Sequence, residues 1–299
     1  MQSIDLVQVV VSGLAMGSVY TLMGMGLFIT FLTSRALNFG QGDFLMVATF
    51  VSMALALAGM PAILGIALTL VGLAGLGAVL ERVAVRPLGQ GGAGGADSLG
   101  WVLTTMGVGM ILQNIVTLVW GKSKFYSPPL FGKGDKQIVE ILGAGVFLEE
   151  ILVAGSCLVV VAVLLWILFR TRWGNAISAV AFDKDTASLL AIDVKKTIML
   201  SYVIMAVLAA ICGILVGPIV SAQAHMGLLY VLKGFAVVCI GGFVNPVGIL
   251  IAGLAFGLVE AFSNYFDSSL GDLYPFLMVL GFLVARPSGL FGEGRMDLR

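Results

Sequence analysis

The sequence predicts an all-α protein that crosses a membrane many times. The expected architecture is about eight transmembrane helices plus one short, broken half-span, arranged as two internally related halves. Three observations carry this expectation. The 299 residues are 60% hydrophobic and only 11% charged, where a soluble domain carries about 25% charged residues. Mean hydropathy is +1.09, and the apolar residues fall in runs near the ~20 needed to cross a hydrocarbon core. Forty glycines and fourteen methionines suit helices that approach closely in lipid, where small residues let backbones meet.

In chain order, Leu6 to Leu32 reads as the first span. It is too long for the apolar part of a signal peptide and has no basic segment before it, so it is expected to be retained. The polar interruption Leu37–Asp43 precedes a run from Phe44 to Gly59, and Pro61 opens a third span ending at Leu80. The Gly-rich linker after Leu88 leads to a fourth span, Trp101 to Trp120. A mixed-charge loop, 121–147, precedes a fifth span ending at Phe169, and Thr197 to Val220 is a sixth. Tyr230 to Ile240 is apolar but only about 11 residues, too short to cross about 30 Å at 1.5 Å per residue. It stops at the break Gly241–Pro246, after which Val247–Phe262 and Leu273–Val284 complete the pattern. The whole chain, 1–299, is expected to be one transmembrane domain.

Charge sets the expected orientation. Eleven of the sixteen basic residues lie in the loops after Leu32, Leu80 and Phe169 and in the tail after Val284. The positive-inside bias places these in the cytoplasm, with an exterior N-terminus and an interior C-terminus. Lys122, Lys124, Lys133, Lys136 and Lys233 then count as exterior, as does loop 121–147. Zero net charge argues against nucleic acid as a partner. Cys157, Cys212 and Cys239 sit inside apolar runs, with no spacing that suggests a metal site or a disulfide. His225, the single histidine, falls in an exterior turn and cannot make a metal site alone.

Two interruptions of the apolar pattern resemble each other. LNFGQGDF and GGFVNPVG each pair glycines with an amide side chain before a helix start. Asp43 is expected to cap the first following helix, and Asn245 with Pro246 reads as N-cap and first helical residue of the second. Irregular backbone at membrane depth persists only where protein buries it or a wet cavity lines it. Paired breaks in two halves of a chain point to a substrate path. The candidate pathway residues are therefore Asn38, Gln41, Asp43, Gln113, Asn114, Asn245 and Glu260, the last an acid within an apolar run that must face protein. Gly13-x-x-x-Gly17, Gly213-x-x-x-Gly217 and Gly253-x-x-x-Gly257 read as helix-packing faces.

Residues 170–197 form the cytoplasmic loop and hold five of the sixteen basic residues. Asn175–Phe182 reads as one helix, and Asp183 or Asp185 caps a second over Thr186–Ile192. Exposed leucines between charged patches suit a docking helix better than a connector. The candidate docking residues are Ala176, Ala179, Phe182, Asp183, Asp185, Leu189, Leu190 and Ile192. No phosphate loop, paired catalytic acids or nucleophile arrangement is present, so the chain reads as a transport subunit that needs no cofactor and draws its energy from outside itself.

Several motifs in one order resemble the LivH-type permeases. They are NFGQGDF, ERVAVRPL, TTMGVGMILQN, AISAVAFDKDTASLLAIDV, GGFVNPVG with GLVEA, and RPSGLFG, spread from near Gly13 to Gly292. The resemblance implies a membrane subunit of a bacterial ABC importer for branched-chain amino acids, sited in the inner membrane. It also implies a LivM-like second permease, two cytoplasmic ATP-binding subunits and a periplasmic substrate-binding protein, with lipid around the spans. Ala176–Val194 matches the family's coupling helix. Two positions depart from the family pattern, Ala191 where Gly is usual and Gly40 where Ala is usual. Related permeases carry urea, short amides or aromatic acids. An ion-coupled secondary transporter and an intramembrane enzyme are the readings from other classes, and each would need more buried acids or ligands than these.

Overall fold

A computed structural model describes residues 3–87, 97–128, 138–141, 144–243, 245–267, 271, 273–286 and 289. The Gly-rich linker, much of the loop beyond Pro128 and the end of the RPSGLFG motif lie outside the described residues. Among the described residues the chain folds as eleven α-helices with one short hairpin. The helices are α1 (Ser3–Ser34), α2 (Gln41–Leu57), α3 (Ala62–Leu80), α4 (Asp97–Trp120), α5 (Leu148–Arg170), α6 (Arg172–Phe182), α7 (Lys184–Leu189), α8 (Val194–Val216), α9 (Met226–Gly241), α10 (Pro246–Phe266) and α11 (Leu273–Ala285). The hairpin pairs β1 (Ile138–Ile141) with β2 (Ala144–Phe147), antiparallel. A π-helical turn, Glu81–Val85, extends α3 through the basic motif.

Among the described residues six helices are long and apolar enough to cross a membrane, and α2, α9 and α11 are shorter apolar helices. The 23 residues of α5 reach about 35 Å at 1.5 Å per residue, enough to span. Observed boundaries differ from the hydropathy reading by a few residues. The largest difference is at α8, which begins at Val194 because Asp193 caps it and stops at Val216.

The chain divides into two compact units. One comprises Met1–Met25, Pro129–Val161 and Lys233–Arg299, and the other Gly26–Pro128 and Ala162–Leu232. In the first, α1 and α10 cross where their glycines meet. A Cβ on Gly17 would come within 2.7 Å of the Gly253 carbonyl, and one on Gly13 within 3.1 Å of the Gly257 carbonyl. The two GxxxG faces are therefore one interface, as expected for lipid-embedded packing. Phe256 stacks edge-on against both Tyr20 and Phe276 in the same unit.

In the second unit α8 is the central helix, packed against α2 and α3. Gly213 meets the backbone of α2 at Leu45, where Thr49 Oγ1 donates to the Gly213 carbonyl at 2.9 Å. Phe125 and Ala222 exchange both backbone hydrogen bonds, at 3.0 and 2.7 Å, tying the segment after α4 to the one before α9. Phe50 packs on Trp120 and Phe125 beneath that bridge.

Candidate functional site

The first polar interruption lies in the second unit. Asn38 Oδ1 accepts from the Gly40 N–H at 3.1 Å, an Asx turn that ends the stretch after α1. The residue preceding α2 is Gly40, with no side-chain cap, so Asp43 is not the N-cap expected for it. Asn38 has already turned the chain, and Asp43 falls in the first helical turn, where the helix N-terminus favours its negative charge. Asn38 and Gln41 are fully buried, and the Asn38 amide nitrogen lies 3.9 Å from Met205 Sδ.

Asp43 and Gln113, 70 residues apart, meet directly. Gln113 Nε2 donates to Asp43 Oδ1 at 2.8 Å. Gln113 Oε1 lies 3.1 Å from His225 Nδ1, a bond that requires the Nδ1–H tautomer because a carbonyl oxygen only accepts. The single histidine is exposed, as a surface residue would be, yet it terminates an ordered chain from Asp43. The absence of side chains at Gly109, Gly42 and Gly227 makes room for this arrangement. A Cβ on Gly109 would overlap the Asp43 carboxylate, and one on Gly42 would overlap the Gly227 carbonyl. Asn114 is not part of it, since its amide donates to the Met110 carbonyl of its own helix on an exposed face.

The second interruption lies in the first unit. Asn245 caps α10 as expected, its Oδ1 accepting from the Val247 N–H at 2.9 Å, with Pro246 opening the helix. Farther along α10, Glu260 is buried with a cation. Lys233 Nζ donates to Glu260 Oε1 at 3.0 Å, and the Tyr20 hydroxyl donates to the same oxygen at 3.0 Å. Lys233 Nζ also lies 5.3 Å above the Tyr20 ring. Lys233 was expected among the exterior charges. It is only 8% exposed, inside α9, because a buried acid needs a paired cation and this lysine supplies it. A lone lysine within an apolar run, with one acid in a later apolar run, was the available signal. A cavity of about 400 Å³ adjoins Glu260 between α1 and α10, lined by Gln8, Ser12, Met16, Asn264 and Tyr265 among others.

The loop 170–197 is built by three side-chain caps in succession. Thr171 accepts from the Gly174 N–H to start α6, Asp183 from the Thr186 N–H to start α7, and Asp193 from the Lys196 N–H to start α8. Those backbone donors hold both carboxyls below their ordinary range. Asp183 is the capping residue of the two candidates, and Asp185 sits in the first turn of α7. The helices begin earlier than expected, at Arg172 and Lys184, because the caps Thr171 and Asp183 lie four and three residues upstream of the expected starts Asn175 and Thr186. Gly174, Ile177, Val180, Ala181 and Ala187 face inward, with Ala176, Ala179 and Ile192 at the margin. Phe182, Leu189 and Leu190 stand out, at 76%, 86% and 68% exposure. Lys184 lies over Trp101, and partial burial, then the nearby Arg35, pulls its pKa down. Arg35 itself donates to the Ala181 carbonyl at 2.7 Å.

Long apolar helices with polar groups buried between them, joined by a capped, leucine-bearing loop, are the build of a polytopic membrane protein with a polar interior. Residues 9–284 match the family described as the permease component of branched-chain amino acid transport systems, and the chain belongs to that family. It is 27% identical over 309 residues to the high-affinity branched-chain amino acid permease LivH of Escherichia coli K12, covering 99% of this chain and 98% of that protein. BraD of Pseudomonas aeruginosa, a permease of the same description, is 28% identical over 97% of each chain. An inward-facing metal-chelate type ABC transporter shares the fold, with a TM-score of 0.52 at 14% identity, over 95% of this chain and 89% of that one. The chain is thus the permease component of a transport system, a machine that by this description has further components.

Proposed function

We propose that this chain is one half of the membrane pore of an ATP-driven importer of branched-chain amino acids, working by alternating access. The observation that carries the reading is the pair Leu189–Leu190, exposed at the end of a short helix capped by Asp183. Exposed leucines flanked by charge suit a protein partner. The partner is a cytoplasmic ATP-binding subunit, one of two. A LivM-like permease forms the other half of the pore, and a periplasmic binding protein delivers the solute. In this reading loop 170–197 and the C-terminus are cytoplasmic, the N-terminus and loop 121–147 are periplasmic, and the chain lies in the bacterial inner membrane as a single permease domain. Residues 176–192 act as the handle, and Asn38, Gln41, Asp43, Gln113, Asn114, Asn245 and Glu260, each assigned within its own unit, serve the pathway.

The test replaces Leu189 and Leu190 with Asp in the assembled complex. Loss of ATPase co-purification, with the permease still inserted at normal levels, is the expected result. Normal co-purification together with normal ATP-driven uptake would overturn the docking assignment. Cargo is read separately, by titrating branched-chain amino acids, urea and aromatic acids against the cognate binding protein.

A further inference from the structure

Glu260 uses only half of its carboxylate. Oε1 receives both Tyr20 and Lys233, while Oε2 is buried and has no protein donor. The residue is 9% exposed, yet it lines the cavity of about 400 Å³ between α1 and α10. An ionised oxygen without a donor in a low-dielectric site calls for a ligand that donates hydrogen bonds. The cavity lies in the usual size range for small-molecule sites, well beyond one water.

Its walls say what the ligand looks like. Val9, Met16 and Ala261 supply an apolar surface, and Gln8 and Asn264 supply amides able to donate to an acceptor. Lys233 and Glu260 already cancel in charge, so a neutral ligand with a separated positive end fits better than a bare cation. A hard metal cation would need about six oxygen ligands. Among the described residues no group of three or more His, Cys, Asp or Glu could hold a metal ion.

We propose that this cavity is a subsite for the ammonium group of a small zwitterion with a short apolar body, with Glu260 Oε2 as its counter-ion. This deepens, and rests on, the assignment of the chain as an amino-acid permease. The ammonium group donates to Oε2, the apolar body lies on Met16 and Ala261, and the amides of Gln8 and Asn264 meet the carboxylate.

The experiment uses the full transport complex carrying Tyr265→Cys, an exposed position lining the cavity to which no ligand contact is assigned, labelled with a maleimide against the unsubstituted complex as background. Leucine should slow labelling at least five-fold. Its deaminated analogue 4-methylpentanoate, which keeps the apolar body and carboxylate, should not. Adding Lys233→Met with Glu260→Gln, which removes both charges together, should abolish protection by leucine. No slowing by leucine, equal slowing by 4-methylpentanoate or by sodium chloride alone, or full protection in the charge-free variant would each overturn the subsite. ATP-driven leucine uptake by the unsubstituted complex separates the two levels: its absence sinks the importer reading, and its presence with unprotected labelling sinks the subsite alone.

Discussion

Lys233 Nζ and Glu260 Oε1 stand 3.0 Å apart, each side chain nearly out of contact with solvent. Removing one partner from a buried pair strands the other charge, which costs about 3–5 kcal/mol. Lys233→Met should therefore sharply lower the melting temperature of the purified complex. Lys233→Met combined with Glu260→Gln should recover most of that loss, because the glutamine Oε1 still accepts from Tyr20. A thermal melt of the two variants beside the parent decides this, and a double variant no better than the single one contradicts it.

Arg35 supplies a second long-range link. It sits just past α1 with a left-handed φ of 59°, and its guanidinium donates to the Ala181 carbonyl near the end of α6. That carbonyl belongs to the last turn of a helix, where cations are favoured. Arg35→Ala should leave ATPase docking intact yet loosen α6 from the end of α1. The expected outcome is a several-fold rise in ATP hydrolysed per solute moved, measured in proteoliposomes.

Local signals in the sequence were reliable where one residue determines one turn. Asn245 with Pro246 capped α10, and Asp183 capped α7, because a side-chain oxygen two or three residues from an N–H suffices. The GxxxG spacings likewise announced close helix approach, since spacing alone puts small residues on one face. Asp43 misled because Asn38, five residues earlier, had already turned the chain. The polar pairs were invisible for another reason. Gln113 finds Asp43 across 70 residues and Lys233 finds Glu260 across 27, and no periodicity encodes which helices adjoin. Counting charges by loop also placed Lys233 outside, since the positive-inside rule ignores a lysine whose partner is inside the bundle.

Ala191 shows what a departure from the family pattern costs. Its φ is +61°, and the Ile192 N–H bonds the Ala187 carbonyl while the Ala191 N–H bonds that of Ser188. This is a Schellman ending of α7, with alanine at the position that favours glycine. An L-residue there costs about 1–2 kcal/mol, partly offset by the extra chain freedom of glycine when unfolded. Ala191→Gly should slow amide exchange through residues 187–192 by a few-fold. Gly40, the other departure, has the opposite logic: a Cβ there would come within 2.6 Å of the Thr105 carbonyl.

Gly42 and Gly72 make a controlled pair. A Cβ on Gly42 would overlap the Gly227 carbonyl, backbone that has no rotamer to escape through, while one on Gly72 meets nothing within 4 Å. Gly42→Ala should force α2 and the start of α9 apart and cost about 1–3 kcal/mol or more. Gly72→Ala should be neutral or gain about 0.5–1 kcal/mol from helix propensity. Expression level and melting temperature, compared side by side, check both.

Asp183 gives the loop a pH dependence with a definite sign. The Thr186 N–H that it accepts holds its pKa below the ordinary 3.8. A carboxyl whose folded pKa is depressed stabilises its structure fully above the unfolded value and loses that contribution as pH falls through the folded one. Asp193, held down by the Lys196 N–H, acts in the same direction at the start of α8. Both side chains are exposed, so the effect is local and reduced by salt. Protection of the Thr186 amide, referred to its intrinsic exchange rate, should be flat above about pH 4 and fall below it. Asp183→Asn keeps an acceptor oxygen that does not titrate, so it should retain the cap and abolish the pH dependence. An unchanged profile in that variant would assign the transition to Asp193 or to the spans instead.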